Sequence, residues 1–228
     1  MAGQLLRGVA ERLLMSTGRS YEIDPRISAG SIFGELVLRA VQLVRGVVRG
    51  YGPVFLGARV KIRGRASFAP SRGISIGDYS AIDARGSVGV ILGPGSRLGK
   101  FGIITTTSHL SLAGVGVVFG PGSGIGDYFH IGASGGVTFG SNVIVGPRLL
   151  VHSQEHNYAD PTRPIREQGT TQAAVTVGDD CWLGSGVTLL AGTTLGPRTI
   201  VAAGSVVKGT HPGGVILAGT PAKVVKEI

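Results

Sequence analysis

From Val175 to Val207 an aliphatic residue recurs at every sixth position: Val177, Leu183, Leu189, Leu195, Val201 and Val207. Gly178, Gly184 and Gly196 follow three of these, and Ala202 follows a fourth. A period of six matches neither the helical repeat nor the alternation of a half-buried strand. It is the period of a hexapeptide β-helix, in which each hexad supplies one short strand and one corner. The aliphatic side chain points inward onto its counterpart in the next coil, and the small residue beside it lets the chain turn. Upstream the same phase runs in pieces: Leu56, Ile62 and Phe68; Ile76, Ile82 and Val88; Leu92, Leu98 and Ile104; Phe119, Ile125, Ile131 and Val137; Phe139 and Val145. Each shift of phase implies a residue or two added at a corner. Three hexads close one triangular coil, so the pattern predicts about seven coils stacked at roughly 4.8 Å.

Two segments fall outside the repeat. Residues 1–50 read as a helical segment, with helices over 4–16 and 32–49 and a linker over 21–30 that holds Pro25 and Gly30. On the second helix Glu35, Arg39, Gln42, Arg45 and Arg49 fall on one side, and Phe33, Val37, Val41, Val44 and Val48 on the other. That pattern suits packing on the main domain or on a neighbouring subunit. It equally suits a basic amphipathic anchor at a membrane surface. Residues 51–228 form the β-helix domain, with residues 208–228 as its C-terminal cap. Within it the repeat stops at Val151 and resumes at Val175. This loop, 151–174, is polar and carries His152, His156, Glu155, Asp160 and Glu167. It is expected to be the one long excursion from the coils, and a long loop on a repeat scaffold is where function concentrates.

Composition narrows the picture. The 228 residues suit one domain or one and a half. Forty glycines, 15% charged residues and a mean hydropathy of +0.31 fit an aliphatic fold with many corners, not a disordered chain. The net charge of +9 reads as a basic surface or as a site for anions such as phosphate or an acidic glycan. Nucleic acid is an unfavoured partner, because basic and aromatic residues do not interleave. The single cysteine, Cys181, lies inside a hexad and reads as a small core residue. No secretory signal and no uncharged apolar run long enough to span a bilayer is present, so a cytoplasmic protein is expected, with the N-terminal helices as its one route to the membrane face.

The hexads, the loop around His156 in QEHNYADP, the run VGDDCWLGSGVTLLAGTTLG and the ending AGTPAKVVKEI together resemble the left-handed β-helix acyltransferases. The likeness covers roughly residues 53–228. Within that superfamily they look most like the sugar O-acetyltransferases of capsule, exopolysaccharide and lipopolysaccharide synthesis, relatives of colanic acid, galactoside and maltose acetyltransferases. The resemblance implies an all-β, left-handed parallel β-helix, acetyl-CoA as acyl donor, and a homotrimer with donor sites between subunits. His156 stands where the family places its catalytic base. A sugar hydroxyl is a poor nucleophile until its proton is taken, and an imidazole suits that task. His152 is the second choice, and Glu155, Asp160 and Glu167 are open candidates to orient the base.

For the donor, the resemblance implies Trp182 beside the acyl group, Ala203, Gly204 and Ser205 along the pantetheine arm, with Lys208 following on the same edge, and Lys223 and Lys226 near the nucleotide phosphates. His130, His152 and Tyr158 are candidates for the acceptor. His109 lies farther upstream. His130, His152 and His156 would be the set for a zinc ion, but the loop spacing and the ending argue for a site without metal. A small acceptor such as serine, an amino sugar or an antibiotic, and a non-enzymatic scaffold for glycan assembly, are the rival readings.

Overall fold

The computed structural model describes residues 8, 10, 11, 22–107, 109 and 112–228. The helix expected over residues 4–16 therefore lies largely outside the described residues. Among the described residues twenty-five short strands form three faces, parallel except for the last strand of the first, and one separate hairpin. The first face starts at Phe55–Leu56, the second at Lys61–Arg63 and the third at Phe68–Pro70, and the chain visits them in that order coil after coil. The second and third faces have seven strands each, so the prism has seven coils, coiled as a left-handed parallel β-helix. The coil from Leu183 to Val201 keeps the ideal eighteen residues; the five before it carry insertions at corners, and the one after it, Val201 to Leu217, is two residues short.

The six-residue phase is the core. Val177, Leu183, Leu189, Leu195, Val201 and Val207 are all buried, each stacked on its counterpart in the neighbouring coil, as in Val145–Leu183–Val201. One position departs from the expectation. Val88 is 43% exposed, and the third face instead takes Val90, paired with Phe68 and Val117. From Ile82 to Val90 the chain takes eight residues where Ile62 to Phe68 takes six, so the inward slot slips by two residues.

Corners force an unusual backbone. Eight non-glycine residues have positive φ, among them Tyr79, Phe101 and Tyr128 at successive corners between the first and second faces. A left-handed conformation costs such residues on the order of 1 kcal/mol each. Their rings stack at 5.2 and 5.0 Å, and such contacts offset part of that cost.

The ladders between coils run both ways, as from the Phe55 N–H to the Ile74 carbonyl and from the Ala84 N–H to the Arg63 carbonyl. The first coil has no coil before it, so the backbone groups on its outer edge, the Leu56 and Val60 carbonyls among them, need partners from elsewhere. A helix, α1 (Ala29–Val48), lies on this open end. Ser28 caps it by accepting from the Ser31 N–H at 3.1 Å, which starts the helix inside the segment expected to be linker. Arg45 donates to the Leu56 carbonyl at 2.7 Å and Arg49 to the Val60 carbonyl at 2.8 Å. Gly46 faces the coil so closely that a Cβ there would run into the Val54 carbonyl. At the other end Val215–Gly219 turns at Thr220–Pro221 into Ala222–Glu227, which pairs antiparallel and closes the sheet edge.

Candidate active site

The long loop leaves the corner between the second and third faces. It is a hairpin: Gln154–His156 pairs antiparallel with Thr170–Gln172, His156 opposite Thr170. Ser153 anchors its base, with its hydroxyl donating to the Gly132 carbonyl at 2.7 Å and accepting from the Gly135 N–H at 2.9 Å. Gln168 pins the tip, donating to the carbonyls of Asp160 and Arg163 and accepting from the Asp160 N–H. Asn157 ties the two arms through the Gln168 carbonyl and the Thr171 hydroxyl. Neither Ser153 nor Gln168 stands out in the sequence, because each acts through backbone groups far from it in the chain.

The loop is not alone on that corner. A shorter excursion between Ile103–Thr105 and Gly116–Phe119 carries His109, which bridges to Leu112. The sequence suggests a residue or two added at this corner; the whole connection is ten residues, 106–115, where the next coil uses four between Gly132 and Val137.

Thr105, His130, Gly132, Ser134, His152, Ser153, Gln154 and His156 line a cleft of about 200 Å³ on the second face. Gly132 sits in register between Thr105 and His152, so the missing side chain leaves the floor open. The His130 and His152 rings meet edge to face at 6.3 Å. His156 is exposed on the hairpin at the mouth of the cleft. A volume of 200 Å³ lies below the few hundred Å³ of a pocket that encloses a whole ligand, so the cleft holds only a reacting end.

Burial, and secondarily the nearby His152, hold the His130 imidazole below its ordinary value of 6.5. The unfolded chain thus takes up that proton first. Folding stability should be fully present above about pH 6.5 and fall as pH drops through 6.5 towards the folded-state value. Thermal melts from pH 7.5 to 5 should show a shallower acid loss for His130→Gln than for the parent; parallel curves would assign the loss to other groups.

The three carboxylates offered as orienting partners are placed otherwise. Asp160 accepts from the Thr162 N–H and hydroxyl. Glu167 is 3.9 Å from Arg166. Glu155 is the strand neighbour of His156 and points to the opposite side of the hairpin. Among the described residues none bonds to the His156 ring. Tyr158 is three-quarters exposed and does not line the cleft. No group of three His, Cys, Asp or Glu side chains among the described residues converges in a metal-holding arrangement.

The donor candidates lie on another face. Trp182 points outward from the first face and continues through Ile200 and Ile216 to Lys226 as one ladder. Three steps of about 4.8 Å put Trp182 and Lys226 roughly 14 Å apart. Lys223 and Lys226 would face opposite ways in a regular strand. A bulge opposite Ile216/Leu217 places Lys223 opposite Ala218 and Lys226 opposite Ile216, so both share the outer face. Ser205 turns inward; its side chain is buried and its hydroxyl accepts from the Gly219 N–H. Its carbonyl already accepts from Thr188, so it is Ala203 and Gly204 that are exposed at that corner. Lys208 is exposed, and its carbonyl is 3.1 Å from the His211 ring. Cys181 donates its thiol to the Gly196 carbonyl at 3.2 Å, and burial pushes its pKa up, which leaves no thiolate for nucleophilic work.

Residues 174–209 match the bacterial transferase hexapeptide family (six repeats). Over 108 residues, 44% of this chain, the sequence is 32% identical to a putative lipopolysaccharide biosynthesis O-acetyl transferase of Escherichia coli strain K12, across 55% of that protein. It is 36% identical over 90 residues to a probable acetyltransferase of Mycobacterium tuberculosis, 40% of this chain and 30% of that one. It is 32% identical over 93 residues to the galactoside O-acetyltransferase of Escherichia coli strain K12, 40% of this chain and 44% of that one. The matches thus span about half or less of the length of these relatives.

Proposed function

We propose that this chain, whose repeats are those of the bacterial transferase hexapeptide family, is an acetyl-CoA-dependent O-acetyltransferase acting on a hydroxyl of a sugar or glycan precursor. The observation that carries the reading is the exposed His156 imidazole at the mouth of a cleft lined by His130 and His152, on a hairpin fixed by Ser153 and Gln168. The names of the similar proteins, a lipopolysaccharide O-acetyl transferase and a galactoside O-acetyltransferase, support the acceptor class. His156 takes the proton of the acceptor hydroxyl as its oxygen attacks the thioester carbonyl. The C–S bond then breaks, and the imidazolium returns the proton to the departing thiolate. His130, kept neutral by burial, is free to hydrogen-bond the acceptor without adding charge.

The cleft is on the second face, and Trp182, Lys223 and Lys226 are on the first. One prism cannot turn both towards one reaction centre. A closed ring of prisms that sets the first face of one protomer against the second face of the next brings them together, and the three-fold form of such a ring is the homotrimer. The test is acetyl transfer from acetyl-CoA across a panel of sugars and small amines and alcohols, with the mass by light scattering. Turnover on a glycan supports the reading; turnover confined to serine or an amine would move the acceptor, and no thioester turnover on any acceptor would leave a scaffold. A monomer at micromolar concentration would remove the shared site.

Lys223 and Lys226 should serve the donor phosphates. Each is exposed and its contacts are screened, so Lys223→Ala or Lys226→Ala should weaken acetyl-CoA binding by a factor of about two to five at low salt, and less at high salt. Binding of an acetyl-pantetheine fragment, which lacks the nucleotide, should not change. Parent-like binding of the whole donor by both variants would place the phosphates elsewhere, with Lys208 next in line.

A further inference from the structure

The sequence suggested that the arginine side of α1 could face lipid. The structure turns that side inward. Arg45 and Arg49 serve the end carbonyls of the first coil, and Arg39 pairs with Glu35 and lies over the Phe55 ring. What remains outside is the apolar side. At about 100° per residue, Phe33, Val37, Val41, Val44 and Val48 fall within roughly 80° of arc centred opposite Gly46, the residue pressed on the coil. All five are 46 to 79% exposed. An amphipathic helix packed by its polar side leaves an apolar stripe pointing away from the end of the prism, and a stripe of that size marks a docking surface.

The charge around the stripe indicates what docks. The first coil, residues 53–72, carries Arg59, Lys61, Arg63, Arg65 and Arg72 and has no aspartate or glutamate. All five are exposed and none is in a salt bridge among the described residues, although Arg63 lies in register with Asp83 and Arg65 donates to the Gly50 carbonyl. An apolar stripe with five cations on the same end of the molecule complements an anionic bilayer: the helix side enters the acyl boundary and the cations meet the headgroups. A protein partner would need a matching acidic ring around an apolar groove. A second copy of this end would bring like charges together. We propose that the α1 end of the prism docks on an anionic membrane surface through the outward stripe of α1 and the cations of the first coil. This holds independently of the acetyl-transfer reading, since none of these residues touches the cleft.

The test uses the full chain and sedimentation with vesicles of phosphatidylcholine alone or with about one quarter phosphatidylglycerol. Each exposed cation near such a surface contributes roughly a five-fold factor. The parent should bind the anionic vesicles, bind the neutral ones weakly, and release with salt. Arg65→Ser with Arg72→Ser, both beside the third face, should bind about 25-fold more weakly. Val41→Asp with Val44→Asp should bind at least ten-fold more weakly, with melting temperature and transfer to a soluble acceptor unchanged. Equal binding by parent and variants, or none by the parent, overturns the proposal. So does a drop in oligomer mass by light scattering for Val41→Asp with Val44→Asp, because a second copy would then be the occupant. If that variant fails to fold, the arginine pair and the salt dependence still decide.

Discussion

His156→Ala will lower the rate of acetyl transfer by about 10²–10⁴-fold and leave the prism intact. The side chain is exposed on a hairpin whose position is set by backbone bonds from Ser153, Asn157 and Gln168, none of which uses the imidazole. Removing it costs no core packing, so the melting temperature should stay within the error of the measurement. Single-turnover rates with saturating donor and acceptor separate the chemical step from binding. The rate should fall while donor affinity holds, because the donor candidates are on another face. The competing assignment is His152, which lies deeper in the cleft. Near-full turnover in His156→Ala, with loss in His152→Ala, would give the base to His152.

Leu183→Ala should have the largest effect on stability. Leu183 is fully buried and stacked between Val145 and Val201 at the middle of the first face. Its neighbours are held by ladder hydrogen bonds on both sides and cannot collapse into the space. Truncation of such a side chain costs about 2–5 kcal/mol, a fall of roughly 4–20 °C in melting temperature for a chain of this size. Val88→Ala supplies the contrast. The six-residue phase assigns Val88 to the core just as it assigns Leu183, but its exposure leaves little to lose. Its effect should be under about 0.5 kcal/mol. A large loss at Val88 with none at Leu183 would reverse the inward register of both coils.

The sequence by itself determined the coils. A period of six places one side chain per hexad inward whatever the neighbours are, because strand and corner are local. That is why the three faces, the coils and one layer of the core were legible, along with the loop that interrupts them, while the second buried layer two residues earlier, as Val187 before Leu189 and Leu149 before Val151, was not. It failed at Val88 and at the excursion after Thr105, where inserted residues break the phase and a period carries no information about where the next strand resumes. The candidate base was legible because a polar stretch with histidines stands out from aliphatic hexads. Its supports were not: Ser153 and Gln168 act on backbone groups that only the folded hairpin brings to them.

Tertiary structure alone decided three further points. The bulge that puts Lys223 and Lys226 on one side is a property of the pairing between two strands, and their spacing in sequence pointed both ways. The separation of Trp182 from the histidine cleft depends on which face each hexad occupies, which counting fixes only if every corner has its ideal length. The orientation of α1 follows from a demand outside the helix. Amphipathic patterning predicts that the apolar side packs inward, and here the open end of the first coil presents backbone carbonyls, those of Leu56 and Val60, which accept from Arg45 and Arg49 of the helix. Buried carbonyls without donors cost more than exposed valines. The side of α1 that carries donors therefore faces the prism, and the apolar side is left to the surroundings.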